Sequence, residues 1–308
     1  MKDNILRFDA HFKEPEAIKK IRQILSQTQY QQIPIKTAQE IEKLKFSGSI
    51  CANILDEISP FVVPGATKKQ LNHLIQDLIC NKYSAEVDRL ESDAETNASD
   101  RISACFGHNN IIINAEPDDI PLQTGDIFGI DISIRKNGWC GDTRKSWIIG
   151  DEASPSTLNL FTVSQNAMWL AISMIRDGVK VETIASAVEE YSNKRGVSMI
   201  KSPMIFAGHS LGKRHMDGWL IPLYESEINK GRVLSTGMVI TIETFMSAGN
   251  GEAALVNNDL GSGVTKDDSY ACYWEHAVAV TDTGCEILDL RAGEKAQWAN
   301  ALPNVFKN

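Results

Sequence analysis

Two segments of the chain, 113 residues apart, share one layout: a long helix, a glycine-containing turn and a second, amphipathic helix. In the first segment, TAQEIEKLKFSGSICANILDEISPFV leads into PGATKKQLNHLIQDLICNKY. In the second, FTVSQNAMWLAISMIR leads into DGVKVETIASAVEEYSNKRG. Strand-rich sequence follows each pair, so we expect a duplicated α+β domain whose joined sheets are covered by helices. A cleft between such halves is a natural position for a functional site.

Between the two segments, GIDISIRKNGWCGDT predicts a β-hairpin that turns at Asn137-Gly138. A two-residue turn places Asp131 opposite Arg144 and makes Asp131 and Asp142 diagonal neighbours on the face opposite to the isoleucines. Their carboxylates can then converge on one point. The alternative is a solvated face on which Asp131 pairs with Arg144, and a three-residue turn would break the parity altogether.

Three further polar residues stand where a buried strand would be expected to have apolar ones. His209 follows an apolar run in FAGHSLG, Glu243 lies within GMVITIETFM, and Glu275 begins the alternating strand EHAVAV. A buried carboxylate is unfavourable without a cation. Four acids and one histidine suit a pair of divalent metal ions, whereas a structural zinc would favour cysteine and histidine. Taken singly, each glutamate could instead lie on an exposed edge, and the histidine could be a packing residue.

The composition limits the partners of this chain of 308 residues. Its net charge of −9 and the lack of a basic stripe argue against a nucleic-acid or anionic-membrane partner. No apolar run reaches the ~18–20 residues of a membrane-spanning helix, and the charged start lacks a signal-peptide core. The six cysteines are dispersed without CxxC spacing, which favours reduced thiols. We expect a soluble cytoplasmic protein of undetermined oligomeric state.

Four motifs resemble, in order and spacing, the signature of the type I methionine aminopeptidases: GIDISIRKNGWCGDT, FAGHSLG, VITIETFMSAG and YWEHAVAVTDTGCEIL. The resemblance extends from about residue 35 to about residue 291. It implies the pita-bread fold of the M24 metallopeptidases, in which two helix-pair and antiparallel-sheet halves are related by a pseudo-two-fold axis. We therefore expect an N-terminal extension at 1–36, a pita-bread metallopeptidase domain at 37–293 and a C-terminal tail at 294–308.

The same resemblance implies a site for two divalent metal ions with five protein ligands. These are Asp131, Asp142, His209, Glu243 and Glu275, of which Asp142 and Glu275 bridge the ions. Because Mn, Fe, Co and Zn all tolerate such ligands, the identity of the metal is left open. The resemblance also implies that Glu243 carries a proton towards the leaving amine and that His215 stabilises the tetrahedral oxyanion.

Several positions depart from the family pattern around the first-residue pocket. Asn114 stands in place of a histidine that positions the substrate, and Arg214 replaces an aromatic residue. Cys105 matches a cysteine of the pocket, while His215 follows His209 one residue sooner than is usual. The amide of Asn114 can hydrogen-bond a substrate but cannot transfer a proton. We therefore expect slow turnover of methionyl peptides, with Arg214 able to meet a polar or acidic first residue.

Three functions compete on these residues. The first is an aminopeptidase that resembles methionine aminopeptidase, releases the N-terminal residue of peptides and has an altered pocket. The second is a pita-bread hydrolase that acts on a small amide or a dipeptide. The third is a non-catalytic binding protein of the same fold. All five ligand residues are present, which favours an enzyme over the binding protein.

Overall fold

The computed structural model describes residues 33–88, 103–201, 206–256 and 262–298. Most of the predicted N-terminal extension and of the predicted C-terminal tail therefore lies outside the described residues. Within this part of the chain the α-helices are α1 (Ala38–Ile58), α2 (Lys68–Asp77), α3 (Pro155–Met174), α4 (Val181–Asn193) and α5 (Glu294–Trp298). Single 3₁₀ or π turns lie at Ser59–Phe61, Leu78–Lys82 and Glu227–Asn229. No helix in the described ranges is long and apolar enough to cross a membrane.

The described strands are mostly short and antiparallel. They are β1 (Glu86–Val87), β2 (Cys105–His108), β3 (Ile111–Ile113), β4 (Ile127–Lys136), β5 (Trp139–Ile148), β6 (Ser198–Met199), β7 (Gly208–His209), β8 (Leu220–Ile221), β9 (Val239–Glu243), β10 (Met246–Ser247), β11 (Ala253–Leu255), β12 (Gly263–Thr265), β13 (Ala271–Cys272), β14 (Glu275–Val280) and β15 (Cys285–Ile287). The main sheet has the order β11-β12-β3-β2-β4-β5-β14-β15, with β1 beside β4 and β9 beside β14. Smaller sheets are β13-β10-β6 and β7-β8.

The predicted duplication is confirmed by helix positions and by backbone hydrogen bonds that recur in both halves. The turn between α1 and α2 is tied to the segment before β4, where Gly65 N donates to Leu122 O at 2.8 Å. The turn between α3 and α4 is tied in the same way to the segment before β9, where Gly178 N donates to Leu234 O at 2.9 Å. Both glycines have a positive φ, 91° and 75°, which glycine adopts without steric cost.

Each helix pair packs on one half of the main sheet through alternating strand residues. Ile130 and Ile132 of β4 join the apolar core beneath α1 and α2. Ile240 and Ile242 of β9 join the core beneath α3 and α4. Because side chains alternate along a strand, the residues between these isoleucines, Asp131 among them, face away from the helices. The residues that alternate with these isoleucines thus share the face that the helices leave open.

Helix α1 begins as predicted and lies close against the hairpin. The Thr37 hydroxyl accepts a hydrogen bond from Glu40 N, and the Glu40 carboxylate accepts one from Thr37 N, which completes a capping box. Along the same helix, a Cβ added to Gly141 in β5 would lie 2.5 Å from the carbonyl oxygen of Ser47. Only glycine allows the helix and strand to approach so closely, and this contact fixes the position of the hairpin against α1.

The register of the hairpin is the one predicted for a two-residue turn. Asn137 and Gly138 have φ values of 53° and 78°, as a type I′ turn requires. Asp131 is paired with Arg144, and Asp142 lies diagonally across from Asp131. The alternative three-residue turn is therefore wrong, and both aspartates share the face opposite to the isoleucines.

Packing continues on both sides of the predicted domain limits. Ile33 is buried, and Lys36 N donates to Gly237 O at 2.8 Å. Helix α5 begins at Glu294, inside the predicted tail, and its buried carboxylate accepts hydrogen bonds from the backbone N and the Nε of Arg291. Arg291 Nη2 also lies 3.0 Å from His276 Nε2, so this ion pair lies against β14. The limits at 36/37 and 293/294 stay predictions.

Candidate metal centre

Three acidic residues lie in one row across the centre of the main sheet. Asp131 in β4 faces Arg144 in β5, which in turn faces Glu275 in β14. Glu275 faces Glu243 in β9 on the other side of its strand. Directly paired residues share a face of the sheet, and Asp142 lies two residues from Arg144 on the same strand. All four acids therefore project from the face that the helices leave open.

The imidazole of His209, from β7, completes the cluster. Candidate ligand atoms lie within 4.8 Å of one another in three overlapping groups of side chains. The groups are Asp131, Asp142 and Glu275; His209, Glu243 and Glu275; and Asp142, His209 and His215. The structure thus brings together all five residues that the sequence proposed as metal ligands. Asp142, His209 and Glu275 each belong to two groups, and of these only the two carboxylates have a second oxygen with which to bridge two ions.

Buried oxygen atoms without a partner lie at the centre of this cluster. Among the described residues, Asp131 Oδ1 and both carboxylate oxygens of Glu275 are buried and take part in no hydrogen bond. Glu275 is only 1% exposed. Carboxylates in such surroundings are unfavourable unless a cation or a proton neutralises them. The donor set of oxygens with one imidazole nitrogen therefore fits a pair of divalent cations.

Without metal, burial and mutual repulsion favour the protonated form of most of these carboxyl groups. Burial raises the pKa values of Glu243 and Glu275 well above their ordinary range, and the charge of Asp142 raises them further. The same two causes raise the pKa of Asp131. For Asp142, burial acts in the same direction, but the charge of His215 and other favourable contacts outweigh it and lower the pKa. Several protons must therefore leave when cations enter.

We expect metal affinity to rise steeply with pH. At acidic pH the carboxyl groups of Asp131, Glu243 and Glu275 hold protons that compete with the cation, and these protons are released as pH rises. Each displaced proton changes the apparent affinity by about tenfold per pH unit. Calorimetric titration of Mn²⁺ in two buffers of different ionisation enthalpy will measure the proton release. An affinity that is constant between pH 6 and pH 8 would contradict this expectation.

Neighbouring groups orient His209 and Glu243 towards the cluster. His209 Nδ1 lies 3.2 Å from the carbonyl oxygen of Ser210, so this nitrogen carries the proton and Nε2 is left to bind a cation. Nε2 lies 3.4 Å from Asp142 Oδ2. The Thr241 hydroxyl accepts a hydrogen bond from His209 N and donates one to Glu243 Oε1, both at 2.8 Å. One threonine thus links both candidate ligands.

His215 lies beside the same cluster, between two carboxylates. Its Nε2 is 3.6 Å from Asp142 Oδ2, and its Nδ1 is 3.7 Å from Asp88 Oδ2. Its ring centre is 4.7 Å from that of His209. Burial lowers the pKa of His215, but Asp142 and Asp88 outweigh it and raise the pKa to about 9. The shortened spacing from His209 has therefore not carried the imidazole away from the site.

The residues proposed for substrate contacts are not all placed together. Cys105 in β2 is paired with Asp131, and its thiol donates to Asn114 Oδ1 at 3.2 Å. Asn114 has a φ of 55°, and its backbone N lies 3.3 Å from the Cys105 sulfur. Arg214 is exposed, and its carbonyl oxygen accepts a hydrogen bond from Gly212 N. Cys105 and Asn114 thus lie at the Asp131 edge of the cluster, whereas Arg214 faces solvent.

Three residues that contact the site were not predicted from the sequence. Tyr273 is buried and donates its hydroxyl to Asp131 Oδ2 at 2.9 Å. Thr241 precedes Glu243 by two residues on the same face, and this strand parity was a usable signal. Asp88 lies far from His215 in sequence, and Tyr273 precedes the first residue of β14, so neither offered a periodic pattern. The roles of Asp88 and Tyr273 follow from tertiary contacts alone.

Comparisons with known proteins agree with this geometry. The model of metallopeptidase family M24 matches residues 42–282. The methionine aminopeptidase of Salmonella typhimurium is 33% identical over 273 residues, covering 84% of this chain and 94% of that protein. The one of Escherichia coli K12 is 32% identical over 262 residues with the same coverage. The crystal structure of methionine aminopeptidase from Rickettsia prowazekii aligns with a TM-score of 0.77 and 30% identity over 84% of this chain and 100% of that chain.

The match with family M24 spans the hairpin, most of both helix pairs and every candidate ligand. The structural likeness extends over the whole length of the Rickettsia enzyme, so the predicted pita-bread fold is confirmed. The buried acidic cluster supplies the site that two divalent metal ions need. The chain therefore belongs to metallopeptidase family M24, as a metallo-aminopeptidase of the methionine aminopeptidase branch.

Proposed function

We propose that this metallo-aminopeptidase hydrolyses the first peptide bond of its substrates through a two-metal site and selects a first residue other than methionine. The observation that carries the two-metal hydrolysis is the buried acidic cluster with unpartnered oxygens at Asp131 and Glu275, and Asn114 in place of the family's histidine supports the different first residue. Asp131 would hold one ion, His209 and Glu243 the other, and Asp142 and Glu275 both. When bound, two such ions supply Lewis-acid activation of water and of the scissile carbonyl.

Glu243 is the group that we assign to proton transfer. Its Oε1 accepts the hydrogen bond of Thr241, which holds the carboxylate in one orientation within the cluster. A carboxylate held in this way can take a proton from the attacking water and give it to the leaving amine. The Thr241 contact fixes the carboxylate while the proton moves.

His215 is the group that we assign to the oxyanion. The carboxylates of Asp88 and Asp142 flank its two ring nitrogens and favour its protonated form. An imidazole held in this way can donate a hydrogen bond to the negative charge that develops on the scissile carbonyl oxygen. Asn114 would add a neutral amide at the other edge of the site, where it can hydrogen-bond the substrate but not exchange a proton.

We expect low activity on methionyl peptides. A positioned proton-transfer group contributes about 10²–10⁴-fold, and Asn114 cannot supply that contribution. The specificity constant on Met-Gly-Met should therefore fall at least about 10²-fold below that of the Escherichia coli relative with matched metal. Asn114→His should recover part of the difference, because histidine tolerates the positive φ of this position. Equal specificity constants for the two wild-type enzymes would contradict the altered pocket.

We also propose that the enzyme works on peptides in the cytoplasm. All six cysteines are free, which suits a compartment that keeps thiols reduced. The net charge of −9 disfavours nucleic acid and anionic membranes as partners. Recovery of the enzyme in a membrane fraction or with nucleic acid would count against this assignment.

A further inference from the structure

Arg144 is the one basic side chain in the row of acids across the sheet. It is paired with Asp131 on one side and with Glu275 on the other, so it leaves the sheet on the same face as the acidic cluster. It is 2% exposed. The sequence suggested it only as an ion-pair partner of Asp131. Yet within the described ranges no carboxylate lies within 4.0 Å of its guanidinium, and Asp131 Oδ2 is bonded to Tyr273 instead.

Two glycines provide the space that the guanidinium occupies. A Cβ added to Gly129 would lie 2.1 Å from Arg144 Nη2, and one added to Gly107 would lie 2.3 Å from the same atom. Gly129 is two residues from Asp131, and Gly107 is two residues from Cys105 on the neighbouring strand. The positive charge therefore lies just beyond Asp131, on the side of the cluster where Cys105 is found.

An aromatic ring covers the guanidinium on its other side. Arg144 Cζ lies 3.4 Å from the centre of the Tyr273 ring, and Nε donates to Tyr273 O at 3.2 Å. The ring packs in turn on Phe245, at 4.1 Å between centres. The arginine is thus held in one orientation by the sheet below and the ring above.

One end of the guanidinium has no partner. Nη1 is buried and makes no hydrogen bond in the part of the chain that the structure describes. The other buried arginine of the described ranges, Arg291, is paired with Glu294 at 2.9 Å. A buried cation without an anion is unfavourable, and a carboxylate is the ligand that a guanidinium binds best.

We propose that Arg144 is the specificity-determining residue of the first-residue pocket and binds a carboxylate of the substrate. This inference rests on the proposed aminopeptidase function. With the substrate amine at the metal centre beside Asp131, a first side chain that extends past Cys105 would point towards the guanidinium. The carboxylate is either that of an N-terminal Asp or Glu, or the C-terminal one of a dipeptide. Exposed Arg214 is replaced in this role by a buried and oriented arginine.

The test compares substrates that differ only in charge, on the holoenzyme and on Arg144→Gln. The amidated peptides Glu-Ala-Ala-NH₂, Gln-Ala-Ala-NH₂ and Met-Ala-Ala-NH₂ report on the first side chain. Ala-Ala and Ala-Ala-NH₂ report on the C-terminal carboxylate. We expect the wild type to prefer the acidic member of one pair by about 10–100-fold in kcat/KM, and Arg144→Gln to abolish that preference. The peptide pair in which the enzyme prefers the acidic member identifies the source of the carboxylate.

Two control variants separate recognition from folding. Arg144→Lys keeps the charge and should retain part of the preference. Lys145→Gln removes a charge from the next residue, which faces the other side of the sheet and contacts Ser59, and should leave the preference unchanged. Metal content and thermal unfolding are measured for each variant. If Arg144→Gln lowers activity on all peptides equally, or if neither acidic peptide is preferred, the inference is wrong while the aminopeptidase function stands.

A binding measurement decides the inference even if no peptide is cleaved, an outcome that would refute the proposed function. Calorimetric titration of the metal-loaded protein with L-glutamate, L-glutamine and Ala-Ala needs no turnover. Binding of L-glutamate or Ala-Ala that Arg144→Gln weakens by about 10–100-fold supports the inference. The inference is overturned if binding does not depend on Arg144, or if neither L-glutamate nor Ala-Ala binds.

Discussion

Replacing Glu275 with Gln should remove bound metal and hydrolytic activity together without destabilising the metal-free protein. Glu275 belongs to two of the three ligand groups, and neither of its oxygens has a protein partner. An amide lacks the charge that holds a divalent cation at both positions, so turnover should fall to the uncatalysed level. In the metal-free protein, burial and Asp142 already raise the pKa of this carboxyl. In the metal-free protein, Glu275→Gln therefore replaces a carboxyl group that is unfavourable when ionised with a neutral amide.

The measurements are metal content, kcat/KM and the thermal unfolding midpoint after chelation. We expect chelated Glu275→Gln to unfold at or above the temperature of the chelated wild type at pH 8, where ionisation of the buried carboxyl opposes folding. Glu286→Gln, on the neighbouring strand, is the matched control because its partly exposed carboxylate pairs only with Lys45 among the described residues. Metal and turnover that persist in Glu275→Gln would show that the site has been misassigned.

Replacing His215 with Asn should reduce kcat by about 10²–10³-fold while both metal ions remain bound. The imidazole lies within ion-pair distance of Asp142 and Asp88, but the five assigned ligands do not include it. Removing a donor to the oxyanion affects the transition state and not the resting site. A third ligand group does contain His215 together with Asp142 and His209, so the geometry also permits a direct metal contact.

Metal content therefore decides between these two roles of His215. Loss of one ion from His215→Asn would make it a ligand and contradict the oxyanion assignment. Asp88→Asn provides a graded comparison, because it keeps the imidazole and removes only one of its flanking charges. Outer partners of this kind typically contribute about 10–100-fold, so its effect on kcat should be smaller than that of the His215 variant.

The sequence by itself determined the duplication and the hairpin, and it identified the candidate metal ligands that the structure brings together. The helix-pair layout recurs at a fixed offset, and a two-residue turn at Asn137-Gly138 gives the observed register, in which Asp131 and Asp142 share a face. The sequence likewise placed Glu243 within an apolar strand, and the structure puts it on the open face, opposite Glu275. Local rules of this kind act within one element, and they are sufficient wherever the neighbours in space are also near in sequence.

Only the tertiary structure decided what surrounds the ligands. Tyr273 binds Asp131 across 142 residues, and the Arg144 guanidinium lies over Gly107 and Gly129 beneath that same ring. Arg214, which the sequence favoured for substrate contact, is exposed instead. The orientation of a side chain across neighbouring strands depends on which elements pack together and on the space that glycines leave. These contacts cannot be inferred from local patterns of the sequence, because packing is set by all the contacting elements at once.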